Sequence, residues 1–192
     1  MRHKDFNEEE VLRKAIQIFW EKGYYATSMH DLIDTLGIGR SSIYHAYGDK
    51  HSLFIKALEL YQIDGTARLI NIIESAPSVK TGIKNLLDTV ISDIFENRFP
   101  AGCFKVNSEV ELANHDTDIQ KLLYDDDLIL ETALYEAIKG GQVNQEIDKA
   151  KDALATARFF MNTVAGMRVY AKFRKDRKLF EDIAKTALSV IE

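Results

Sequence analysis

Apolar residues recur at spacings of three and four over most of the chain, and this periodicity predicts an all-α protein. A first helix is predicted from Asn7, which can cap its N-terminus, to Gly23, which can end it. Within it, Val11, Ala15 and Phe19 fall on one face. That face is expected to lie in a hydrophobic core.

Residues 23–53 read as two short helices joined by a glycine-containing turn, with a third helix following at once. Ser28 can begin the first of these helices, and Asp31 can reach back to its backbone N–H in a capping box. Gly37 stands where a helix C-terminus needs a left-handed residue. The pattern is typical of a helix-turn-helix, whose second helix, here about 40–47, reads DNA.

The polar residues of the second helix are candidates for contact with DNA, because Ile43 and Tyr47, four residues apart, can face inward. An arginine can bond a guanine edge with two parallel donors, and short hydroxyls bond bases or phosphates. Asp49 can cap the next helix, and Lys50 in its first turn can add a phosphate contact. The polar set of the second helix comprises Arg40, Ser41, Ser42, Tyr44 and His45.

Further helices predicted by the same periodicity give the rest of the chain a helical bundle. Pro77 separates the first from the second, and the Gly140–Gly141 pair is expected to stop the fourth. We divide the chain into a DNA-binding domain, residues 1–48, and a ligand-binding and dimerisation domain, residues 49–192. The predicted helices cover about 50–75, 79–97, 103–112, 117–139, 148–173 and 177–191.

The overall charge of −5 argues against binding to nucleic acid, but the distribution of charge weakens that argument. Acidic residues 8–10 begin the first helix, whereas Arg40, His45, Lys50 and His51 surround the proposed reading surface. A single cysteine excludes an internal disulfide, and no signal peptide or long apolar run is present. A cytoplasmic protein that does not bind membranes is therefore expected.

Acidic residues suggest a metal site in two places, and the spacing disfavours both. Asp125, Asp126 and Asp127 are consecutive in a predicted helix and point in different directions, so a solvated acidic face is the better interpretation. Glu109, Glu111, His115 and Asp116 lack a dependable ligand spacing. No metal or cofactor is expected, and no phosphate loop or nucleophile elbow indicates an enzyme.

The helix-turn-helix region resembles the DNA-binding domain of TetR/AcrR-type one-component transcriptional regulators. The match is carried, in order and spacing, by Gly23-Tyr24, Thr27-Ser28, Leu36-Gly37-Ile38, Ile43-Tyr44, Tyr47, Asp49-Lys50 and Leu53. The resemblance implies an all-helical homodimer whose three-helix heads bind a roughly palindromic operator. It also implies a C-terminal part that binds an effector, most often to release a repressor from double-stranded DNA. Gly39 departs from the Ser or Thr that many members have there.

Site residues follow from this resemblance position by position. Phosphate contacts correspond to Thr27, Tyr44 and Lys50, and Ser28, the capping residue, joins the DNA-binding set. Base contacts correspond to Arg40, Ser41, Ser42 and His45.

The effector pocket is assigned to apolar or aromatic residues of the central helices, each of which is as likely to be plain core. The dimer interface is assigned to the last two helices because the resemblance favours a four-helix contact there over intramolecular core. Candidate pocket residues are Phe54, Tyr61, Phe95, Phe99, Cys103, Phe104, Tyr124, Phe160 and Met161. Candidate interface residues, on stripes that include small side chains, are Ala153, Ala157, Val164, Phe180, Ile183, Ala187 and Ile191.

Cys103 leaves two interpretations open. Its surroundings resemble the stretch in which some electrophile- and oxidant-sensing relatives carry a reactive cysteine. Alternatively, it is a small buried hydrophobe, as free cysteines usually are.

Overall fold

The computed structural model describes residues 6–96 and 100–192, which form helices joined by turns and short irregular connections. The predicted all-α class is confirmed, and these residues contain no strand. The helices are α1 Glu8–Lys22, α2 Met29–Leu36, α3 Arg40–Tyr47, α4 Lys50–Glu74, α5 Val79–Phe95, α6 Phe104–Leu112, α7 Thr117–Val143, α8 Ala153–Tyr170 and α9 Arg177–Leu188, closed by a 3-10 turn, Ser189–Ile191.

Two compact units divide the chain by packing. The head unit comprises residues up to 63 together with 103–123, and the bundle unit comprises residues 64–102 together with 124–192. The predicted boundary after residue 48 does not coincide with this division. Phe54 on α4 and Phe104 on α6 lie in the same core as α1–α3, so packing adds both segments to the head unit. The functional division of the chain stays a prediction.

The core of the head unit forms because α1 is amphipathic and firmly capped. Asn7 Oδ1 accepts from the N–H of Glu9 at 3.0 Å, which satisfies an otherwise orphan donor of the first turn. Phe19, expected in the core, is buried there, and so is Trp20. Burial of such a stripe, at about 25 cal/mol per Å² of apolar area, outweighs the helix propensity of its residues.

The core of the bundle unit is built from α5, α7, α8 and α9, with Ile73 of α4. Leu87, Phe160 and Phe180 are fully buried in it, and the rings of Phe95 and Phe180 meet edge to face with centroids 5.7 Å apart. None of the helices in the described part of the chain is both long and apolar enough to cross a bilayer.

The prediction that Gly140-Gly141 stops α7 is wrong, because the helix continues to Val143. The chain turns back over Gly141 instead: the N–H groups of Glu146 and Ile147 both donate to the Gly141 carbonyl. A Cβ at Gly141 would lie 3.1 Å from the Ile147 Cδ1, so glycine allows this close packing. Consequently α8 begins at Ala153, later than predicted.

The acidic run of α7 is only partly solvated, which corrects the expected acidic face. Asp126 is 7% exposed and accepts a hydrogen bond from Thr66 Oγ1 at 2.8 Å. The hydroxyl supplies the partner that a buried carboxylate requires.

Gly82 is the position of α5 where substitution should be most costly. A Cβ there would lie 2.8 Å from the Ile73 carbonyl oxygen, which belongs to the backbone and cannot rotate away. We expect Gly82→Ala to lower the free energy of unfolding by about 1–3 kcal/mol. Gly140→Ala is the matched control, because its Cβ meets nothing within 4 Å.

The control should raise the free energy of unfolding by up to about 1 kcal/mol, since alanine is the better helix former. Urea denaturation followed by circular dichroism measures both changes. Equal effects for the two variants would show that the approach to Ile73 does not limit Gly82.

Candidate nucleic-acid interface

The start of α2 is fixed by the predicted capping box, which the structure confirms. Ser28 Oγ accepts from the Asp31 N–H at 3.1 Å, and the Ser28 N–H donates to Asp31 Oδ2 at 2.8 Å. Asp31 also pairs with Lys22. Hydrogen bonds from Lys22 and from Ser28 hold the pKa of the Asp31 carboxyl well below its usual range.

The turn between α2 and α3 uses the left-handed conformation predicted for Gly37, whose φ is 69°. Its N–H donates to the Ile33 carbonyl at 3.1 Å and so closes α2. Gly39 caps α3 without a side-chain bond. Ile43 and Tyr47 are buried, so the opposite face of α3 points to solvent.

The solvent face of α3 carries side chains that are able to bond DNA bases and phosphates. Arg40, Ser41, Tyr44 and His45 are exposed, and Ser42 is half-buried. The Arg40 guanidinium carbon lies 5.8 Å from the centroid of the Tyr44 ring. The guanidinium of Arg40 thus lies beside hydroxyl and imidazole groups, and these groups can hydrogen-bond to the edges of bases.

Thr27 is buried rather than exposed, which corrects the prediction that it contacts a phosphate. Its side chain is fully buried, and its hydroxyl donates to the Gly23 carbonyl at 2.6 Å. A buried and bonded hydroxyl has no surface to offer a phosphate in the free chain. Thr27 instead stabilises the loop between α1 and α2.

Lys50 lies against that loop, half-buried, with its ammonium 4.4 Å from the centroid of the Tyr24 ring. Burial lowers the pKa of Lys50, and the negative charges of Glu111 and Asp31 oppose this shift. Glu111 accepts from the backbone N–H groups of Tyr24 and Tyr25 at 3.0 and 2.9 Å.

The start of α4 is held at two points. Asp49 Oδ1 accepts from the Ser52 N–H at 2.7 Å, which confirms the predicted cap. His51 Nε2 lies 2.6 Å from Asp116 Oδ2. Burial acts to raise the pKa of Asp116, but hydrogen bonds from the Ile119 N–H and from His51 outweigh it, so that the pKa is lowered.

Sequence reasoning missed the partners of Glu111 and Asp116, which it considered only as metal ligands. Their separations in sequence from Tyr24 and His51 exceed any local spacing rule. Among the described residues, no group of three or more His, Cys, Asp or Glu is placed to hold a metal ion.

The candidate pocket residues fall into both units. Phe54, Tyr61, Cys103 and Phe104 lie in the head unit, where the Phe54 and Phe104 rings meet edge to face at 5.4 Å. In the bundle unit, Phe160 is fully buried, Phe95 and Met161 are half-buried, and Tyr124 is exposed. Phe99 lies outside the described residues. The pocket itself stays a prediction.

Cys103 is the N-cap residue of α6 and is half-buried. Its Sγ lies 3.3 Å from the Tyr61 hydroxyl oxygen, and either group can donate. The thiol is thus neither enclosed nor fully open. Sensing and packing both stay predictions for this residue.

Most of the predicted interface residues lie in the core of their own chain, which corrects their assignment. Val164 and Ile183 are partly exposed. Side chains buried within one protomer cannot form the contact with another. The buried residues are Ala153, Ala157, Phe180, Ala187 and Ile191.

The exposed apolar residues of α8 lie on another face. Phe159 is 42% exposed, Val169 38% and Tyr170 45%, and Gly166 lies between them with open space above its Cα. Phe173 follows just beyond the helix, and its ring lies 5.5 Å from that of Tyr170. We call these five residues the α8 stripe.

Comparison with known proteins gives matches over both units. Residues 11–57 match bacterial regulatory proteins of the tetR family, and residues 80–187 match the tetracyclin repressor-like C-terminal domain.

Two similar proteins are transcriptional regulators that match this chain over most of their length. The uncharacterized HTH-type transcriptional regulator YezE of Bacillus subtilis (strain 168) is 29% identical over 100% of this chain and 99% of its own. The HTH-type transcriptional repressor ComR of Escherichia coli (strain K12) is 28% identical over 97% of this chain and 90% of its own.

A solved structure shares the fold. A cysteine mutant of the TetR family transcriptional regulator CifR, complexed with a 26-bp double-strand operator DNA, superimposes with a TM-score of 0.90. The two chains are 23% identical, and the match covers 100% of each.

The His51–Asp116 contact generates a pH prediction. Because the folded pKa of Asp116 is lowered, its carboxylate stabilises the fold above the unfolded value of about 4. That contribution is lost as the pH falls through the folded pKa. Asp116→Asn should therefore lower the free energy of unfolding near neutral pH and differ progressively less from wild type below about pH 4.

Urea denaturation at a series of pH values measures this difference. The asparagine keeps the shape and can still cap α7 with its one oxygen, so the comparison removes the charge together with the acceptor that faces His51. A difference independent of pH would mean that the ionised carboxylate contributes nothing to stability.

Proposed function

Because the chain belongs to the TetR family of bacterial regulatory proteins, whose members are DNA-binding transcriptional regulators rather than enzymes, we propose that it is a repressor released from its operator by a small-molecule effector. The operator is a roughly palindromic duplex bound by a homodimer. Repression is the mode stated for ComR, the similar protein of E. coli.

The exposed face of α3 is the observation that carries this proposal. Arg40 is the base-reading residue we place first, because its guanidinium can bond the O6 and N7 of a guanine together. Ser41, Ser42 and His45 contribute further base contacts, and Tyr44 contacts phosphate. Ser28 lies at the N-terminus of α2, where an anion is favoured.

Two heads are needed because a single three-helix head covers only one half-site. The α8 stripe is the surface we assign to the dimer contact, since it is the apolar face of α8 that the protomer leaves uncovered. Val164 and Ile183, both partly exposed, can extend it.

Binding of the effector and binding of the operator are coupled, so that each weakens the other. An effector that favours one spacing of the two heads lowers operator affinity, and the operator lowers effector affinity by the same factor. We place the effector in a pocket among the middle helices.

Arg40 and Lys50 should differ in the kind of binding that each supports. Arg40→Ala is expected to cost about 1–3 kcal/mol on the operator and to relax the preference for one base, because a bidentate contact is lost. Lys50→Ala should weaken binding to all duplexes alike and reduce the salt slope by about 0.9 for each head.

Selection from a random duplex pool provides the operator, and mobility shifts at several salt concentrations measure both variants. Wild-type protein that selects no sequence would refute operator binding. Equal loss on operator and random duplex for Arg40→Ala would show that Arg40 contacts only phosphate.

The dimer contact is tested by placing a charge on the α8 stripe. Val169→Glu should give a folded monomer in sedimentation, because a carboxylate would be buried without a partner in the proposed contact. Ile129→Glu puts the same charge on an exposed apolar position of α7 and should stay dimeric. A dimeric Val169→Glu variant would place the contact elsewhere.

A further inference from the structure

We propose that Glu111, on α6 and outside the helix-turn-helix, is a positioning residue for operator binding. Its carboxylate fixes the loop between α1 and α2, and through the Tyr24 ring it fixes the Lys50 ammonium. This inference rests on the proposed function, since it concerns how the head presents its contacts to DNA.

Both carboxylate oxygens of Glu111 accept hydrogen bonds from the loop between α1 and α2. Oε2 accepts from the Tyr24 N–H at 3.0 Å, and Oε1 accepts from the Tyr25 N–H at 2.9 Å. Two hydrogen bonds to one ionised acceptor are stronger than neutral ones and set both position and orientation. Glu111 therefore holds two consecutive peptide groups in one geometry.

The position of the Glu111 carboxylate leaves no room for a side chain at residue 23. A Cβ at Gly23 would lie 2.8 Å from Glu111 Oε2, and its φ of 83° is one that other residues rarely adopt. The Gly23 carbonyl in turn accepts from the Thr27 hydroxyl. The loop from residue 23 to residue 27 is thus fixed at both ends, immediately before the cap of α2.

Tyr24 transmits the constraint to α4. Its ring lies 5.1 Å from Phe54 and 6.4 Å from His51, centroid to centroid, and Lys50 Nζ lies 4.4 Å above it. A cation over an aromatic face is attracted by the ring quadrupole. Fixing the Tyr24 backbone therefore also limits where the Lys50 ammonium can go.

The charge of Glu111 has a second effect on Lys50. Burial favours the neutral amine, and the nearby carboxylates of Glu111 and Asp31 oppose it by raising the pKa. Glu111 thus favours the charged form of Lys50, which is the form that can contact a phosphate. A carboxylate near the DNA also repels phosphate directly. If this repulsion were the main effect of Glu111, removing its charge would raise the affinity for DNA, whereas loss of the positioning role would lower it.

Glu111→Gln separates the two roles, with Glu109→Gln as the matched control. Both substitutions remove one negative charge from α6, and Glu111 is the one whose carboxylate accepts from the N–H groups of Tyr24 and Tyr25. The amide of glutamine offers one acceptor where the carboxylate offers two. Affinity for the selected operator and for a random duplex is measured by mobility shift over a range of salt concentrations.

We expect Glu111→Gln to weaken operator binding about tenfold, the equivalent of one charge-assisted hydrogen bond. Its salt slope should fall in the same direction as that of Lys50→Ala, and the double variant should lose less than the sum of the two. Glu109→Gln should bind as tightly as wild type or more tightly. These shifts in slope and coupling would not follow from lower stability alone.

Hydrogen exchange of the Tyr24 and Tyr25 amides supplies a direct readout in the free protein. Both amides should exchange faster in Glu111→Gln than in wild type, while the α1 amides stay protected. Unchanged exchange, or tighter binding by Glu111→Gln to the same extent as by Glu109→Gln, overturns the positioning role. If wild-type protein selects no duplex, the proposed function fails and this inference fails with it.

Discussion

Edge-to-face packing around the Phe54 ring is the contact on which the head unit depends. Phe54 lies on α4, and its ring meets Phe19 of α1 at 5.0 Å, Tyr24 of the following loop at 5.1 Å and Phe104 of α6 at 5.4 Å. Each such pair contributes about 0.5–1.5 kcal/mol beyond the area that it buries. One buried ring on α4 thus contacts α1, the loop between α1 and α2, and α6.

The packing of α6 in the head unit determines which polar groups reach the α1–α2 loop and the start of α4. With Phe104 packed beside Phe54, Glu111 in the last turn of α6 reaches the α1–α2 loop, and Asp116, before α7, reaches His51. The loop N–H groups belong to no helix and would otherwise need water. Hydrophobic packing therefore brings the segment into place, and its carboxylates then restrict the loop and α4 to one arrangement.

Local chemistry could be predicted from the sequence, and long-range chemistry could not. The capping box of Ser28 and Asp31 and the left-handed Gly37 involve partners within four residues, where stereochemistry leaves few alternatives. Glu111 and Tyr24 are far apart in sequence, and no periodicity links them. Gly140-Gly141 failed as a stop signal, because α7 continues to Val143 and Gly141 instead allows Ile147 to approach closely. The exposed face of α3 followed from two buried positions, whereas contacts with DNA and effector depend on molecules outside the chain.

The interface residues illustrate a further limit, because a stripe at helical spacing indicates burial without indicating by what. In the bundle unit, Asp93 is 8% exposed and bonds Arg68 of α4 and Arg168 of α8. A buried carboxylate with guanidinium partners allows little rotation of the helices that carry them, since a broken pair would leave a charge unpaired. With Met167 buried and Arg168 mostly so, Val169 and Tyr170 must project outward. An assembly formed through α8 would then use side chains that the protomer does not need, so the protomer core and the dimer contact draw on different faces of one helix.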